Sequence, residues 1–164
     1  MTRLYNRESG TICWHSTKAK QVTFRYLVLE LQGNVIGFAC LVFVRSSSWS
    51  DAVDIQHLPQ MVDLLVAPTH RSQGLGTHFI HQLEQIAMGQ GQTKLYVEVD
   101  PILNPRAHRL YLRLGYQALQ SEPYLKHWEF TDSAGGVHAG DDWIIDLVKN
   151  LGVRLAAQRS SNCE

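Results

Sequence analysis

The residues best suited to chemistry lie between a short apolar run and a helical pattern near the middle of the chain. Residues 62–67 are apolar apart from Asp63, Pro68 ends that run, and Arg71-Ser72-Gln73-Gly74-Leu75-Gly76-Thr77 follows. Glycine allows backbone conformations, and a close approach of amides to a ligand, that a Cβ would obstruct. A turn before a helix also presents unpaired N–H groups and the positive end of the helix dipole. The stretch therefore predicts an anion site suited to phosphate.

Two helices and two strands must position this turn. Residues 94–99 form a second β-rich run, and a helical crossover should make it parallel to residues 62–67 with a right-handed connection. Asn104 is a favoured N-cap and Pro105 a favoured first residue for a second helix, which Gly115 ends. The apolar spacing of the first helix follows one helix face: Leu75, Phe79, Leu83, Ile86 and Ala87.

The remaining elements read mostly as β structure. A glycine turn joins the β-rich residues 22–30 and 35–44 in a hairpin, and a short strand is expected near residues 11–15. Residues 116–131 and 137–147 read as a final strand pair, and the serine-rich residues 45–59 as a loop. We therefore expect an α/β fold of the α+β kind, with a central, mixed, mostly antiparallel sheet and flanking helices. One domain should span residues 1–151, followed by a frayed polar tail over residues 152–164.

Composition narrows the class of protein. The chain has 164 residues, with 15 Lys plus Arg against 15 Asp plus Glu, so no net charge gathers nucleic acid or an anionic membrane. No apolar run reaches membrane-spanning length. Three cysteines without CxxC spacing suit reduced thiols, and eight histidines show no HxH or HExxH spacing that would indicate a metal. We expect a cytoplasmic protein without metal.

Two familiar phosphate motifs do not fit the turn. A Rossmann site needs G-x-G-x-x-G, and Phe79 stands where the third glycine would be. A P-loop needs Gly-Lys-Ser/Thr, whereas this turn ends Gly76-Thr77. Both alternatives lack residues that their chemistry requires.

The stretch instead resembles the acetyl-CoA-binding segment of the GCN5-related N-acetyltransferases. That family has a β-strand, then Arg/Gln-x-x-Gly-x-Gly/Ala, then a helix. A second stretch, Asn104-x-x-Ala107-x-x-Leu110-Tyr111-x-x-x-Gly115-Tyr116, resembles the family's later helix, with Tyr in place of the final Phe. The two motifs occur in the family's order, one helix and one strand apart. The resemblance covers most of the chain.

The resemblance implies acetyl-CoA as co-substrate, with its pyrophosphate on the glycine-loop amides and its pantetheine arm against a free strand edge. It also implies that the two parallel strands splay apart at their C-terminal ends. Asn104 is expected both to cap its helix and to contact the cofactor. The implied cofactor-binding residues are Leu64, Leu65, Val66, Arg71, Ser72, Gln73, Gly74, Leu75, Gly76, Thr77 and Asn104.

Acetyl transfer to an amine requires a base for the amine and a proton for the leaving thiolate. By resemblance Tyr111 is the proton donor, with core packing as a compatible role. Glu98 resembles the base of N-terminal acetyltransferases, although a solvent-facing strand glutamate is an equal alternative. Asp63, His57 or a water chain are rivals for the base. Residues Arg106, Arg109 and Arg113 are expected to form a solvated helix face, with Arg106 near enough to meet phosphate.

The acceptor is the least constrained part of the prediction. The family begins with a strand and two helices that build much of the acceptor wall, and only about twenty residues precede the hairpin here. The site is therefore open to a protein or peptide, or is completed by the loop of Trp49 and His57 or by a second copy in a homodimer. Residues Tyr124, Trp128 and Trp143 are candidates for an apolar acceptor pocket or for the core.

Two functions of different classes follow. The first is an N-acetyltransferase that acts by direct attack of a primary amine of a small molecule or of a protein or peptide N-terminus. The second is a non-catalytic sensor or scaffold module that binds acetyl-CoA or CoA. Tyr111 favours the enzyme, because a module needs no proton donor.

Overall fold

The computed structural model describes residues 3–4, 10–19, 22–43, 55 and 57–152. Nine strands and two α-helices lie in this part of the chain. The strands are β1 Arg3–Leu4, β2 Gly10–Ala19, β3 Val22–Leu31, β4 Asn34–Val42, β5 Gln60–Val66, β6 Lys94–Val99, β7 Gln117–Ala118, β8 Tyr124–Thr131 and β9 Val137–Asn150. The helices are α1 Leu75–Gly89 and α2 Pro105–Arg113, with a 3-10 turn at Pro68–His70.

The strands form one mixed sheet in the order β1-β2-β3-β4-β5-β6-β9-β7, and β8 pairs with β9. β5 and β6 are the parallel pair, and the other pairs are antiparallel. The predicted fold class is therefore confirmed. Pairing between β5 and β6 is confined to Gln60 with Tyr96 and Met61 with Val97, so the two strands separate beyond that point.

Both helices contribute to one core on one face of the sheet. Phe79 and Leu83 of α1 and Tyr111 of α2 lie in this core, as the apolar spacing predicts, and Ile80 joins them there. Strand residues that face the helices complete the cluster, including Leu27, Leu29, Ala39, Leu41, Met61, Leu95, Val97, Ile145 and Leu147. Because strand side chains alternate, residues such as Tyr26, Phe38 and Glu98 lie on the opposite face.

A β-bulge interrupts β5 just past its pairing with β6. Cys40 pairs with Val62 and Phe38 with Leu65, so three residue steps on β5 oppose two on β4. Asp63 has a positive φ of 53°, a conformation that Asp and Asn tolerate better than most residues. The extra residue turns Leu65 outward and leaves Leu64 and Val66 packed against the core.

Several sequence expectations differ from the structure. Residues 116–131 are not one strand, because β7 ends at Ala118 and a turn separates it from β8. Core packing is wrong for Trp128 and Trp143, whose side chains are 37% and 46% exposed. The described N-terminal residues form β1 and β2, which is more β structure than the short strand expected there. The predicted tail beyond residue 152 and the loop around Trp49 lie outside the described residues.

Gly37 of β4 lies where α1 packs against the sheet, so a substitution there tests this packing. A Cβ there would lie 2.9 Å from both the Leu65 carbonyl oxygen and Phe79 Cε2. We expect Gly37→Ala to lower the free energy of unfolding by about 1–3 kcal/mol, because the core cannot take the extra methyl without moving α1. Urea unfolding followed by circular dichroism measures this.

Gly89→Ala is the matched control, since a Cβ at Gly89 meets nothing within 4 Å. It should raise the free energy of unfolding relative to wild type by no more than about 1 kcal/mol. Equal effects of the two substitutions would contradict this account of Gly37.

Candidate functional site

A groove of about 820 Å³ lies where the glycine loop, the end of β5 and the start of α2 meet. Its walls carry four arginines and one histidine, and within the described residues no Asp or Glu lines it. The lining residues are Leu64, Leu65, Val66, His70, Arg71, Ser72, Gly74, Leu75, Gly76, Thr77, Leu103, Asn104, Pro105, Arg106, Ala107, Arg109, Leu110 and Arg113. The groove is therefore suited to an anionic ligand with an apolar part.

The N-terminus of α1 opens into this groove without a cap. The first helical hydrogen bond runs from the His78 amide to the Gly74 carbonyl, so the amides of residues 75–77 have no acceptor within the helix. No side chain caps this terminus and its first turn holds no acidic residue. Ser72 and Gly74 have positive φ values of 63° and 83°. These are the features of a phosphate-binding helix start.

Two arginines hold the loop in place from different sides. Arg71 Nε donates to the Val66 carbonyl oxygen at 2.8 Å, which ties the loop back to the end of β5. Arg106 Nη2 donates to Ser72 Oγ at 2.6 Å, which links the start of α2 to the loop across the groove. Arg106, Arg109 and Arg113 are exposed, as the predicted solvated helix face requires, and all three also line the groove.

The structure brings ten of the eleven sequence-predicted cofactor residues into the groove. The exception is Gln73, whose side-chain amide donates to the Thr69 carbonyl oxygen at 3.3 Å. Gly76 also has a packing role, because a Cβ there would lie 3.4 Å from Leu110 Cδ2 of α2. Whether these residues bind a cofactor stays a prediction.

Asn104 occupies the N-cap position of α2, but its side chain makes no capping hydrogen bond. That part of the prediction is wrong, because Asp100 organises the turn instead. Asp100 Oδ1 accepts from the amides of Ile102 and Leu103 at 2.7 and 2.8 Å, and its carbonyl accepts from the Asn104 amide. Sequence analysis missed Asp100, although an Asp between a strand and a turn commonly accepts from backbone amides in this way.

Glu98 lies on the sheet face opposite the helices and outside the groove. Lys126 Nζ donates to its Oε2 at 2.6 Å, and the Tyr96 hydroxyl lies 2.7 Å from its Oε1. The same hydroxyl lies 2.5 Å from Oδ1 of the fully buried Asp146. A phenol carries one hydrogen and can donate to only one of these carboxylates at a time, so the three groups are coupled.

Tyr111 is 4% exposed and lies in the core rather than in the groove wall. Its ring meets that of Tyr116 edge-on at 5.5 Å. Burial raises the pKa of the Tyr111 hydroxyl, so the phenol keeps its proton at neutral pH. The core role is thus observed, and the role of proton donor stays a prediction.

The rival bases are both exposed. Asp63 is exposed at the bulge of β5, and His57 is exposed in the turn before β5. Within the described residues no group of three or more His, Cys, Asp or Glu is arranged to hold a metal ion. None of the helices in that part of the chain is long and apolar enough to cross a membrane.

Comparison with known proteins agrees with the motif analysis. The sequence profile of the Acetyltransferase (GNAT) family matches residues 2–116. The chain belongs to the GNAT family. Streptothricin acetyltransferase of Streptomyces lavendulae is 28% identical to it over 91 residues, which are 56% of this chain and 43% of that protein. The match thus spans less than half of the length of this relative.

Solved structures share the GNAT fold at low sequence identity. A GNAT structure from Desulfovibrio desulfuricans has a TM-score of 0.54 at 17% identity, over 79% of this chain and 69% of that one. A structure from Salmonella typhimurium that holds its cofactor acetyl-CoA has a TM-score of 0.53 at 19% identity, over 83% and 69%. These likenesses establish the fold.

Three buried tyrosines predict a loss of stability at alkaline pH. Burial raises the pKa values of Tyr96, Tyr111 and Tyr116, and Glu84 raises that of Tyr116 further. Above pH about 10 the unfolded chain releases these protons while the folded chain keeps them, so the free energy of unfolding falls as pH rises. Each tyrosine contributes a slope of about 1.4 kcal/mol per pH unit.

Tyr116→Phe should therefore flatten the alkaline limb of stability by about that slope, because one such proton is removed from both states. Urea unfolding of wild type and variant, from neutral to strongly alkaline pH, measures the difference. Parallel alkaline limbs would contradict the raised pKa of Tyr116.

Proposed function

We propose that this protein transfers the acetyl group of acetyl-CoA to a primary amine of a small molecule or of a protein or peptide N-terminus. The observation that carries the proposal is the basic groove, with its uncapped α1 N-terminus, beside the point where β5 and β6 separate. That gap joins the phosphate-binding side of the sheet to the side that holds Glu98. Acetyl-CoA needs both a phosphate site and a passage for its thioester.

In this proposal the amides of residues 75–77 and Arg106 hold the pyrophosphate of acetyl-CoA. The edge of β5 that faces the gap offers backbone groups to the pantetheine arm at Leu64, Leu65 and Val66. Arg71 supports this edge by its bond to the Val66 carbonyl oxygen. Acetyl-CoA supplies the activated acetyl group, and the protein supplies position and proton transfer.

The transfer requires no covalent intermediate on the protein. The amine nitrogen forms a bond to the thioester carbonyl carbon, a base takes the amine proton, and the carbon–sulfur bond breaks. We assign the base to Glu98 and the proton for the leaving thiolate to Tyr111. Lys126 Nζ contacts Glu98 Oε2 and the Tyr96 hydroxyl lies 2.7 Å from Oε1, so the amine or a bridging water would share the carboxylate with these two groups.

The acceptor enters from the sheet face opposite the helices. Tyr26, Phe38 and Leu65 are large exposed side chains on this face. Trp128 lies over Gly140 and stacks with Phe130 at 5.9 Å on the β8–β9 ribbon, which gives a second apolar surface near Lys126. These surfaces support an amine that carries an apolar portion. A cytoplasmic location and a homodimer that completes the acceptor wall belong to the same proposal.

The function is tested by mixing the purified chain with acetyl-CoA and a panel of small amines and N-terminal peptides, with release of free thiol as the readout. Amine-dependent thiol release, with the acetylated product identified by mass spectrometry, supports the enzyme. Tight binding of acetyl-CoA without thiol release for any acceptor favours the alternative, a non-catalytic CoA-binding module. Failure to bind acetyl-CoA contradicts both functions.

Tyr111→Phe tests the proton donor. Removal of the hydroxyl should lower kcat by roughly 10²-fold or more while the Kd for acetyl-CoA changes little, because the donor acts on the leaving thiolate. The ring and its contact with Tyr116 are retained, so packing is preserved.

Tyr116→Phe is the control for Tyr111, since it removes a hydroxyl from the neighbouring ring, whose partner is Glu84. We expect it to leave kcat near the wild-type value. Unchanged turnover in Tyr111→Phe would remove Tyr111 from the mechanism.

Glu98→Gln tests the base. It should abolish the acidic limb of the pH profile of kcat without weakening acetyl-CoA binding, because the amide cannot take up a proton. The comparison variant is Asp63→Asn, which neutralises the exposed rival carboxylate. Loss of the acidic limb in Asp63→Asn alone would transfer the role to Asp63.

A further inference from the structure

Three arginines of α2 form a row along one side of the groove. Arg106, Arg109 and Arg113 are spaced i, i+3 and i+7, which places them on one helix face. All three are exposed, and none of the ion pairs within the described residues includes them. The row therefore presents uncompensated positive charge to the groove.

This arrangement is unfavourable for the helix by itself. Like charges three or four residues apart on a helix repel, and a cation in the first turn opposes the helix dipole. Arg106 lies in that first turn, and Arg109 and Arg113 are four residues apart. An anion in the groove would remove these penalties, whereas a solvated face without a ligand would retain them.

The first arginine is already engaged with the glycine loop. Arg106 bonds Ser72 Oγ at 2.6 Å and so lies beside the amides at the start of α1. A helix rises about 1.5 Å per residue, so Arg109 and Arg113 lie about 4.5 and about 10.5 Å along the axis from Arg106. They are therefore available for a second anionic group, beyond the one that the loop holds.

We propose that Arg109 and Arg113 bind the 3′-phosphate of the CoA portion of the co-substrate. This inference rests on the proposed function, since it assumes that the loop holds the pyrophosphate. One ribose ring separates the pyrophosphate from the 3′-phosphate, and a phosphate monoester carries a charge of about −1.5 to −2 at neutral pH. Arginine is the side chain best matched to such a group, because its guanidinium can form two parallel hydrogen bonds to phosphate.

The test compares CoA with 3′-dephospho-CoA, which retains the pyrophosphate and lacks only the monoester. Titration calorimetry of the full chain at low ionic strength gives the Kd of each. Wild type should bind CoA about tenfold or more tightly than 3′-dephospho-CoA. Arg109→Gln combined with Arg113→Gln should abolish this preference by weakening CoA binding alone.

Two control variants separate the subsites. Arg106→Gln should weaken both ligands by the same factor, because it acts at the loop. Lys94→Gln removes an exposed cation outside the groove and should change neither Kd. Thermal unfolding of every variant checks that the chain remains folded.

The possible results distinguish failure of the 3′-phosphate subsite from failure of the proposed function. Equal affinity of wild type for the two ligands would overturn the 3′-phosphate subsite and leave acetyl-CoA binding intact. If the double variant lost affinity equally for both ligands, the subsite would also be overturned. The two arginines would then act only by non-specific electrostatic attraction of anions. If neither ligand binds, the proposed function fails together with the inference.

Discussion

Pairing between β5 and β6 stops after two residue pairs, and the rest of the site depends on that early stop. A fully paired sheet would bury the edge of β5 and leave no gap between its two faces. The bulge at Asp63 follows directly, and it redirects the side chains of the last β5 residues. The end of β5 that stays unpaired with β6, from Leu64 to Val66, then lines the groove together with the glycine loop.

Two arginine side chains hold the glycine loop beside the groove. Arg71 donates to the Val66 carbonyl oxygen, so this implied cofactor-binding residue also ties the loop to the strand. Arg106 forms the opposite tie, from α2 to Ser72. The start of the loop is therefore fixed from two sides before any ligand arrives, and less ordering remains to be done on binding.

Local signals in the sequence predicted most of the fold. β6 begins and ends at the expected residues 94–99, and α1 starts at Leu75 with the expected apolar face. These elements are determined by residues close together in the chain, as are the glycine turn and Pro105 at the start of α2. The two motifs predicted the family because each of them also consists of residues close together in the chain.

Contacts between distant residues were not predictable in the same way. The bond from Lys126 to Glu98 joins residues 28 apart, and the bond from Arg106 to Ser72 joins residues 34 apart. The bulge at Asp63 lacks the glycine that commonly marks a β-bulge. The Asn104 side chain makes no capping bond, and the Asp100 side chain accepts from backbone amides in the turn before α2 instead. Residue type favours the core for Trp128 and Trp143, whereas both are exposed on the β8–β9 pair.

The basic groove has a kinetic consequence for a protein of zero formal net charge. A distant anion therefore feels no net attraction, and the four arginines along the groove attract it once it comes close. Attraction of this kind favours encounters at the groove over encounters elsewhere on the surface. Salt limits its range to about 8 Å at physiological ionic strength, so steering acts only over the last approach.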